Sequence, residues 1–351
     1  MDREDLLRKT GSLQQIASVR TLTFEEGRAA AARAVEVVNG PLRFTALADK
    51  CLDVAAFSYR GVNFSFLSKP GLQGRNHYDT NGDEALRSIM GGLFFTAGLE
   101  NICTPCTLDG KDYPMHGRIR TTPAEHLCTD ARWEGENYVL SASGEMREAE
   151  LFGENLVLRR SLRTVFGEKS FTLCDEIENQ AFREEPLMIL YHINIGYPLL
   201  DEGTRLYLST RSITPREALS APHAARWNVM DSPKDNEPEY VFIHEPVPDE
   251  NGIVRACVVN IKLDLGLMIS YPMKNLPYFM EWKSTASGDY VLGLEPANSC
   301  VYGRPWHEER GDLHRIPPLA KERFELTFTV LDGAEEIGGA IDAIRRATAG
   351  E

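Results

Sequence analysis

Three polar residues stand in apolar, strand-like surroundings: His116 in YPMHGRIR, His192 in LYHINIGYPLL and Glu295 in YVLGLEPANS. Two imidazoles and one carboxylate can give a proton to one oxygen while taking a proton from another, provided their environment tunes them toward neutrality. That is the chemistry that opens and recloses a sugar ring. The three lie far apart in sequence, so the fold must bring them together.

Each candidate has a structural alternative. In MILYHINIGYPLL, His192 and Asn194 are two apart and share one strand face, while Tyr191, Ile193 and Ile195 share the other. One face therefore meets something polar; the alternative is a core histidine bonded to a neighbouring carbonyl. The VLGL run ends at Glu295, and Pro296 is expected to stop regular pairing, leaving the carboxylate at a strand terminus facing a cleft. Partial burial there would raise its pKa into the range of a useful base; a surface glutamate before a turn is the alternative. Gly117 beside His116 permits close backbone approach or an unusual φ, and Arg118 offers a rigid fork of donors suited to hydroxyls or carboxylates. A solvated turn would look the same. Trp282 and Lys283 in YFMEWKS add an indole plane and a cation, although a tryptophan between charges is often partly buried packing.

Other constellations lead away from catalysis. Cys103 and Cys106 form CTPC, but no second such pair or spaced histidine pair completes a zinc set, so the motif is expected to be structural and no metal site is predicted. Asp175, Glu176 and Glu178 look like the solvated end of a strand, and HEER at 307–310 lacks the second histidine of a zinc-protease helix. No phosphate-binding loop, nucleophile elbow or dinucleotide fingerprint is present.

The elements that must position these residues are mostly strands. LRFTALAD, VAAFSYRG, VNFSFLS, NYVLSASG, NLVLRRSLRTVFG, KSFTLCDEIEN, LMILYHINIGY, EYVFIHEP, VRACVVNI, LGLMISY, DYVLGLEP and RFELTFTVLDG are rich in β-branched and aromatic residues between Gly, Pro, Asn and Asp punctuation. That pattern predicts an all-β protein. The alanines of GRAAAARAVEVVNG favour helix by propensity, but the exit through Asn39-Gly40-Pro41 favours a strand and turn, and strand is the reading adopted. Peripheral helices are expected near 3–9, at 83–90 and at the C-terminus over about 334–348, the last with an acidic start and basic end. Residues 214–239 read as a long surface loop, a length often used for binding. No internal repeat or linker divides the chain, which is expected to form one domain over 1–351 with an N-terminal extension of about 20 residues.

Of the 351 residues, 42% are hydrophobic and 26% charged, enough for a sizeable core. A formal charge of −14 argues against a nucleic-acid partner, and no apolar run approaches the roughly 18 residues of a membrane-spanning helix. The polar start MDREDLLRKTGSLQQ lacks a signal-peptide core, and seven scattered cysteines do not form a disulfide framework. The expectation is a cytoplasmic protein with free thiols and a small-molecule partner; a homodimer is the working expectation for assembly.

The chain resembles the aldose 1-epimerase, or galactose mutarotase-like, superfamily, closest to a branch catalogued as a domain of unknown function. The segments that carry the likeness are FTALADKCLDVAAFSYRGVNFSFLS, GGLFFTAGLENICTP, HGRIR, DEIENQAFREEPLMILYHINIGYPLLDEG and LPYFMEWKSTASGDYVLGLEPANS, across roughly 40–300. The resemblance implies a large antiparallel β-sandwich with a sugar site in the concave face of one sheet. It implies Glu295 as base on the anomeric hydroxyl, His192 as acid on the ring oxygen and His116 as a ring-oxygen ligand. Asn101, Arg118, Asn194, Trp282 and Lys283 join the expected sugar-binding set, and no cofactor is required. Lys50 departs from the arginine usual in that branch, and no residue matches the aspartate that mutarotases use to hold sugar hydroxyls. Two alternatives share the scaffold: a non-catalytic sugar-binding or sensing protein, and a different sugar isomerase or lyase with a metal held by His116 and His192.

Overall fold

The computed structural model describes residues 3–74 and 82–349. Strands make up 49% of it and helices 15%, and the strands pair antiparallel throughout three large sheets. The first sheet has five strands, Ser18–Thr23, Arg33–Val38, Leu42–Leu47, Asp53–Tyr59 and Val62–Asn63, in chain order. The second has eight, in the order Glu125–Glu134, Asn137–Ala149, Asn155–Val165, Ser170–Asn179, Lys321–Asp332, Leu265–Pro272, Ile253–Asn260 and Arg205–Leu208. The third carries the candidate residues and runs Thr210–Pro215, Tyr240–Pro246, Tyr278–Ala286, Asp289–Ala297, Met188–Ile195, Phe94–Leu99.

Alternation drives the layering. In Ser170–Asn179 every second residue is buried, so Phe171, Leu173 and Ile177 point inward. They meet Val35, Phe44 and Phe57 of the five-stranded sheet and Tyr191, Ile193 and Leu294 of the six-stranded sheet in one hydrophobic cluster. Phe171 and Phe328 stack at its centre with ring centroids 4.6 Å apart. Asp175 follows the same period inward, so the expected solvated acidic run is wrong at one of its three residues: Asp175 is fully buried and pairs with Arg160, while Glu176 and Glu178 face out. Arg160 also pairs with Asp53 and donates to Thr96 Oγ1 at 2.8 Å, and Tyr191 Oη donates to Asp175 at 2.8 Å. This satisfied ionic knot ties strands of all three sheets together behind the candidate site.

Most expected strands form where the sequence places them, and helices occur at Arg3–Lys9 and Ala334–Ala349. The alanine-rich segment gives a strand at Arg33–Val38 behind a short 3-10 turn, because Val35 and Val37 face the core. Residues 83–90 make only a 3-10 turn, Gly82–Arg87. The helix Gly303–Arg310 was not expected: it starts at a glycine and carries a proline two residues on, the two poorest helix formers. The 214–239 segment is irregular apart from its first residues, which end a strand, and a 3-10 turn at Ala221–Arg226.

Candidate functional site

The strand Met188–Ile195 is buried along its whole length, and its two faces have different surroundings. Tyr191, Ile193 and Ile195 enter the main core, while His192 and Asn194 line a cavity of about 490 Å3 on the opposite face. The pairing that sets Ile193 opposite Leu294 and Asn194 opposite Gly293 brings His192 beside Glu295. His192 Nε2 lies 3.2 Å from Glu295 Oε1. Glu295 is not at a strand end as expected: the strand runs on to Ala297, with Pro296 opposite Phe279, so the carboxyl sits within the sheet.

Asn194 sets the imidazole's protonation pattern. Its Nδ2 donates to His192 O at 2.8 Å, which leaves Oδ1 as an acceptor 2.7 Å from His192 Nδ1. Nδ1 must then carry a proton, and Nε2 is the nitrogen free to exchange one with Glu295. Burial pushes Glu295 up to about 8, opposed by the charge of Arg216 and reinforced by that of Glu239. Burial also lowers His192 to about 4, against its bond to Asn194. Both shifts favour a carboxylic acid beside a neutral imidazole, with one exchangeable proton between them.

Aromatic rings enclose the pair. Phe95, opposite His192 in the neighbouring strand, stacks on the imidazole with centroids 4.5 Å apart. Trp282 meets it edge-on at 5.4 Å and fixes its own Nε1 on Glu239 Oε2 at 2.7 Å. The absent side chain of Gly293 makes this possible, because a Cβ there would lie 3.0 Å from Trp282 Cβ and 3.3 Å from His192 Cε1.

His116 arrives from a strap rather than a strand. Its amide donates to Cys103 O at 3.0 Å and its carbonyl accepts from Gly98 at 3.1 Å, with φ at 58°. Gly117 follows with φ +66°, and a Cβ on it would stand 1.9 Å from Gly98 O, so only glycine lets the strap close onto the sheet. The His116 ring lies edge-on to His192 at 5.4 Å, and its buried Nδ1 has no hydrogen-bond partner. Burial, then the neighbouring His192 and Arg120, holds His116 well below the usual imidazole range.

Of the expected residues, His116, His192, Asn194, Trp282 and Glu295 line the cavity. Three others stand outside it. Asn101 Nδ2 bridges Thr104 O and Pro114 O, each at 3.0 Å, and so braces the strap. Arg118 pairs with Glu100 and donates to Asp112 O at 3.1 Å. Lys283 points to the opposite face, where Nζ donates to Arg226 O at 2.8 Å and Val229 O at 2.6 Å. Cys103 lines the cavity and Cys106 does not; all seven thiols are free. Among the described residues, no three His, Cys, Asp or Glu side chains are grouped so as to hold a metal.

The sequence patterns missed Phe95, Arg216, Glu237 and Glu239 as lining residues, and the rim pair Lys69–Asp289 at 2.5 Å. Arg216, Glu237 and Glu239 come from the two ends of the 214–239 segment, whose length was their only signal. The unexpected helix also serves the site, since Arg304 donates to Glu100 O at 2.9 Å and holds the chain next to Asn101.

Three large antiparallel sheets around one hydrophobic cluster, with a cavity on the face of the six-stranded sheet turned away from that cluster, define a galactose mutarotase-like sandwich. The chain belongs to the family described as a domain of unknown function, DUF4432, whose model matches residues 29–330. It is similar to a crystal structure from Klebsiella pneumoniae subsp. pneumoniae provisionally named an aldose 1-epimerase, at 24% identity and TM-score 0.89, covering 99% of this chain and 91% of that one. A galactose mutarotase-like protein from Clostridium acetobutylicum is 11% identical with TM-score 0.61, covering 91% of this chain and 99% of that one. Galactose 1-epimerase from Lactobacillus acidophilus is 11% identical with TM-score 0.55, covering 90% and 99%. These likenesses establish the fold. No curated protein matches the chain.

Proposed function

We propose that this protein is an aldose 1-epimerase-type isomerase that interconverts sugar anomers. The observation that carries the reading is the approach of His192 Nε2 to within 3.2 Å of Glu295 Oε1 at the wall of a cavity whose volume suits a small ligand. Anomer exchange needs this closeness, because the hydroxyl oxygen that loses a proton and the ring oxygen that gains one are bonded to the same carbon.

When a sugar presents O1 and O5 to the pair, the shared proton passes from Glu295 to His192 Nε2, which leaves Glu295 as the carboxylate. Glu295 takes the O1 proton, the C1–O1 bond becomes a carbonyl, the C1–O5 bond breaks, and Nε2 gives its proton to O5. Rotation about C1–C2 presents the other carbonyl face, and the transfers reverse to close the ring. Paired acid–base catalysis of this kind contributes on the order of 10²–10⁴-fold per group. In this reading His116, whose buried Nδ1 has no partner, bonds the ring oxygen, while Phe95 and Trp282 give apolar surface for the sugar's C–H face.

The test is anomer exchange followed by NMR on a panel of aldoses, uronic acids and sugar phosphates, comparing wild type with Glu295→Gln. Acceleration by wild type and its loss in the variant, with sugar binding kept, supports the reading. A sugar that raises the melting temperature without faster exchange by wild type would replace it with a binding or sensing role, which the same fold also permits.

A further inference from the structure

The cavity does not end at the pair that the proposed chemistry uses. Glu295 and Asp289 both line it, and both lie on the strand Asp289–Ala297, whose pairing with Tyr278–Ala286 is unbroken from Met280 opposite Glu295 to Ala286 opposite Asp289. The six residue steps between them cover roughly 20 Å of antiparallel strand. A single pyranose is much shorter than that. The volume of about 490 Å3 likewise falls among pockets that hold drug-sized ligands, closer to a disaccharide than to one hexose.

Register sorts the lining along this length, because every second residue of a strand faces the cavity. His192 and Glu295 stand at one end with Phe95 and His116. The next row across the sheet is Val241, Trp282, Gly293 and Asn194, each paired with the one after it. Two and four residues beyond Trp282 come Ser284 and Ala286, the latter opposite Asp289. The chain at 66–69 walls this far half: Gly196 has no side chain, so the Phe66 backbone packs against it, and Lys69 Nζ meets Asp289 Oδ2 at 2.5 Å.

The far half carries groups that suit sugar hydroxyls. Glu239 is held through Oε2 by Trp282 Nε1 at 2.7 Å, and Glu237 is held through Oε1 by Tyr240 Oη at 2.7 Å, so each is fixed while its other oxygen can accept a hydroxyl. Among the described residues lining this stretch, three carboxylates, Glu237, Glu239 and Asp289, face one ammonium, Lys69. That balance repels a phosphate or carboxylate and favours an uncharged ligand. The guanidinium in the middle of the cavity, Arg216, is already engaged by Glu217 Oε1 at 2.9 Å.

We propose that this far half is a second sugar subsite and that the substrate is a neutral reducing disaccharide. Its reducing ring lies at His192 and Glu295, and its second ring lies beyond Trp282 against Glu237, Glu239 and Asp289. The placement of the reducing ring rests on the anomer-exchange reading; the second subsite rests on the length and lining of the cavity.

The test is calorimetric titration of the full chain with maltose, cellobiose, lactose and melibiose, against glucose, galactose, glucuronate and glucose 6-phosphate. At least one disaccharide is expected to bind about tenfold or more tightly than its own monosaccharides, the gain that hydrogen bonds to fixed carboxylates can supply. Ala286→Phe, which fills the far half, should abolish that preference. Asp289→Ala, at the exposed rim where little packing is at stake, should lower it several-fold. The proposal is overturned if no disaccharide outbinds its monosaccharides, if an acidic sugar outbinds every disaccharide, or if the preference survives in both variants. Anomer exchange by NMR separates the two readings. A disaccharide preference without exchange keeps the subsite and removes the chemistry; exchange with no such preference keeps the chemistry and removes the subsite.

Discussion

Asn194 Oδ1 accepts a hydrogen bond from His192 Nδ1 at 2.7 Å and Asn194 Nδ2 donates one to His192 O at 2.8 Å, so one side chain fixes both the rotation and the tautomer of the imidazole. Removing it leaves Nδ1 without a partner in a buried site. Asn194→Ala should lower kcat by roughly 10–100-fold while KM changes little, the range for supports that orient a working group. Nitrogen-15 NMR of His192 would check the cause: wild type should show protonated Nδ1, and Asn194→Ala a mixture of tautomers. An unmixed signal in the variant would deny Asn194 this role.

The buried pair makes stability depend on pH in two windows. Glu295 has its carboxyl raised to about 8, so the folded chain binds a proton more readily than the unfolded chain, and stability falls as pH rises from about 4.5 to about 8. His192 is lowered to about 4, so the unfolded chain takes the proton first, and stability falls as pH drops from about 6.5 to about 4. Glu295→Gln should flatten the alkaline limb and His192→Gln the acid limb in melting curves taken from pH 4 to 9. An unchanged alkaline limb in Glu295→Gln would show that its carboxyl is ionised in the fold.

Gly293 and Gly117 separate two kinds of tight contact. At Gly293 a methyl group meets the side chains of Trp282 and His192, which can shift by a few tenths of an ångström, so Gly293→Ala should fold with a loss of about 1–3 kcal/mol and a larger loss of activity. At Gly117 the methyl meets the backbone of Gly98, and Gly117→Ala should not close the strap. Denaturant melts of both variants check the order of severity.

Lys283 acts at a distance from the cavity by holding the carbonyls of Arg226 and Val229, within the segment that delivers Arg216 and Glu239. Lys283→Met should raise KM several-fold with kcat nearly unchanged, and proteolysis should become faster within 216–239. A fall in kcat alone would place Lys283 in the chemistry instead.

Arg160 neutralises Asp53 and Asp175, both fully buried. Arg160→Met strands two carboxyls in the core and should cost about 3–5 kcal/mol in urea melts. Raising the acidity of the buffer should recover part of the loss by protonating Asp53, whose carboxyl burial already raises to about 6.

The sequence disclosed the strands that bury alternate residues, because Phe171, Leu173 and Ile177, or Tyr191, Ile193 and Ile195, write a period of two into the chain. It hid the edge strand Glu125–Glu134, which is largely exposed and carries no such period. His192, Asn194 and Glu295 were legible as polar interruptions of apolar runs. Lys283 was misplaced by one step of the same period: it neighbours Trp282, and adjacent strand residues face opposite ways. Asn101 and Arg118 lie close to His116 in sequence, but they hold the strap from behind. Arg216 and Glu239 carry no local pattern, since an irregular segment brings them in.

The ionic knot behind the strand Met188–Ile195 gives the molecule a division of labour. His192 and Glu295 are written on strands whose reverse faces are locked into the core, so their spacing cannot be altered without unfolding much of the domain. The border of the cavity is built from separate parts: the 214–239 segment, the Lys69 rim and the wall at 86–91. Under the proposed function, exchanging those parts between relatives should transfer the choice of sugar while His192 and Glu295 stay where they are.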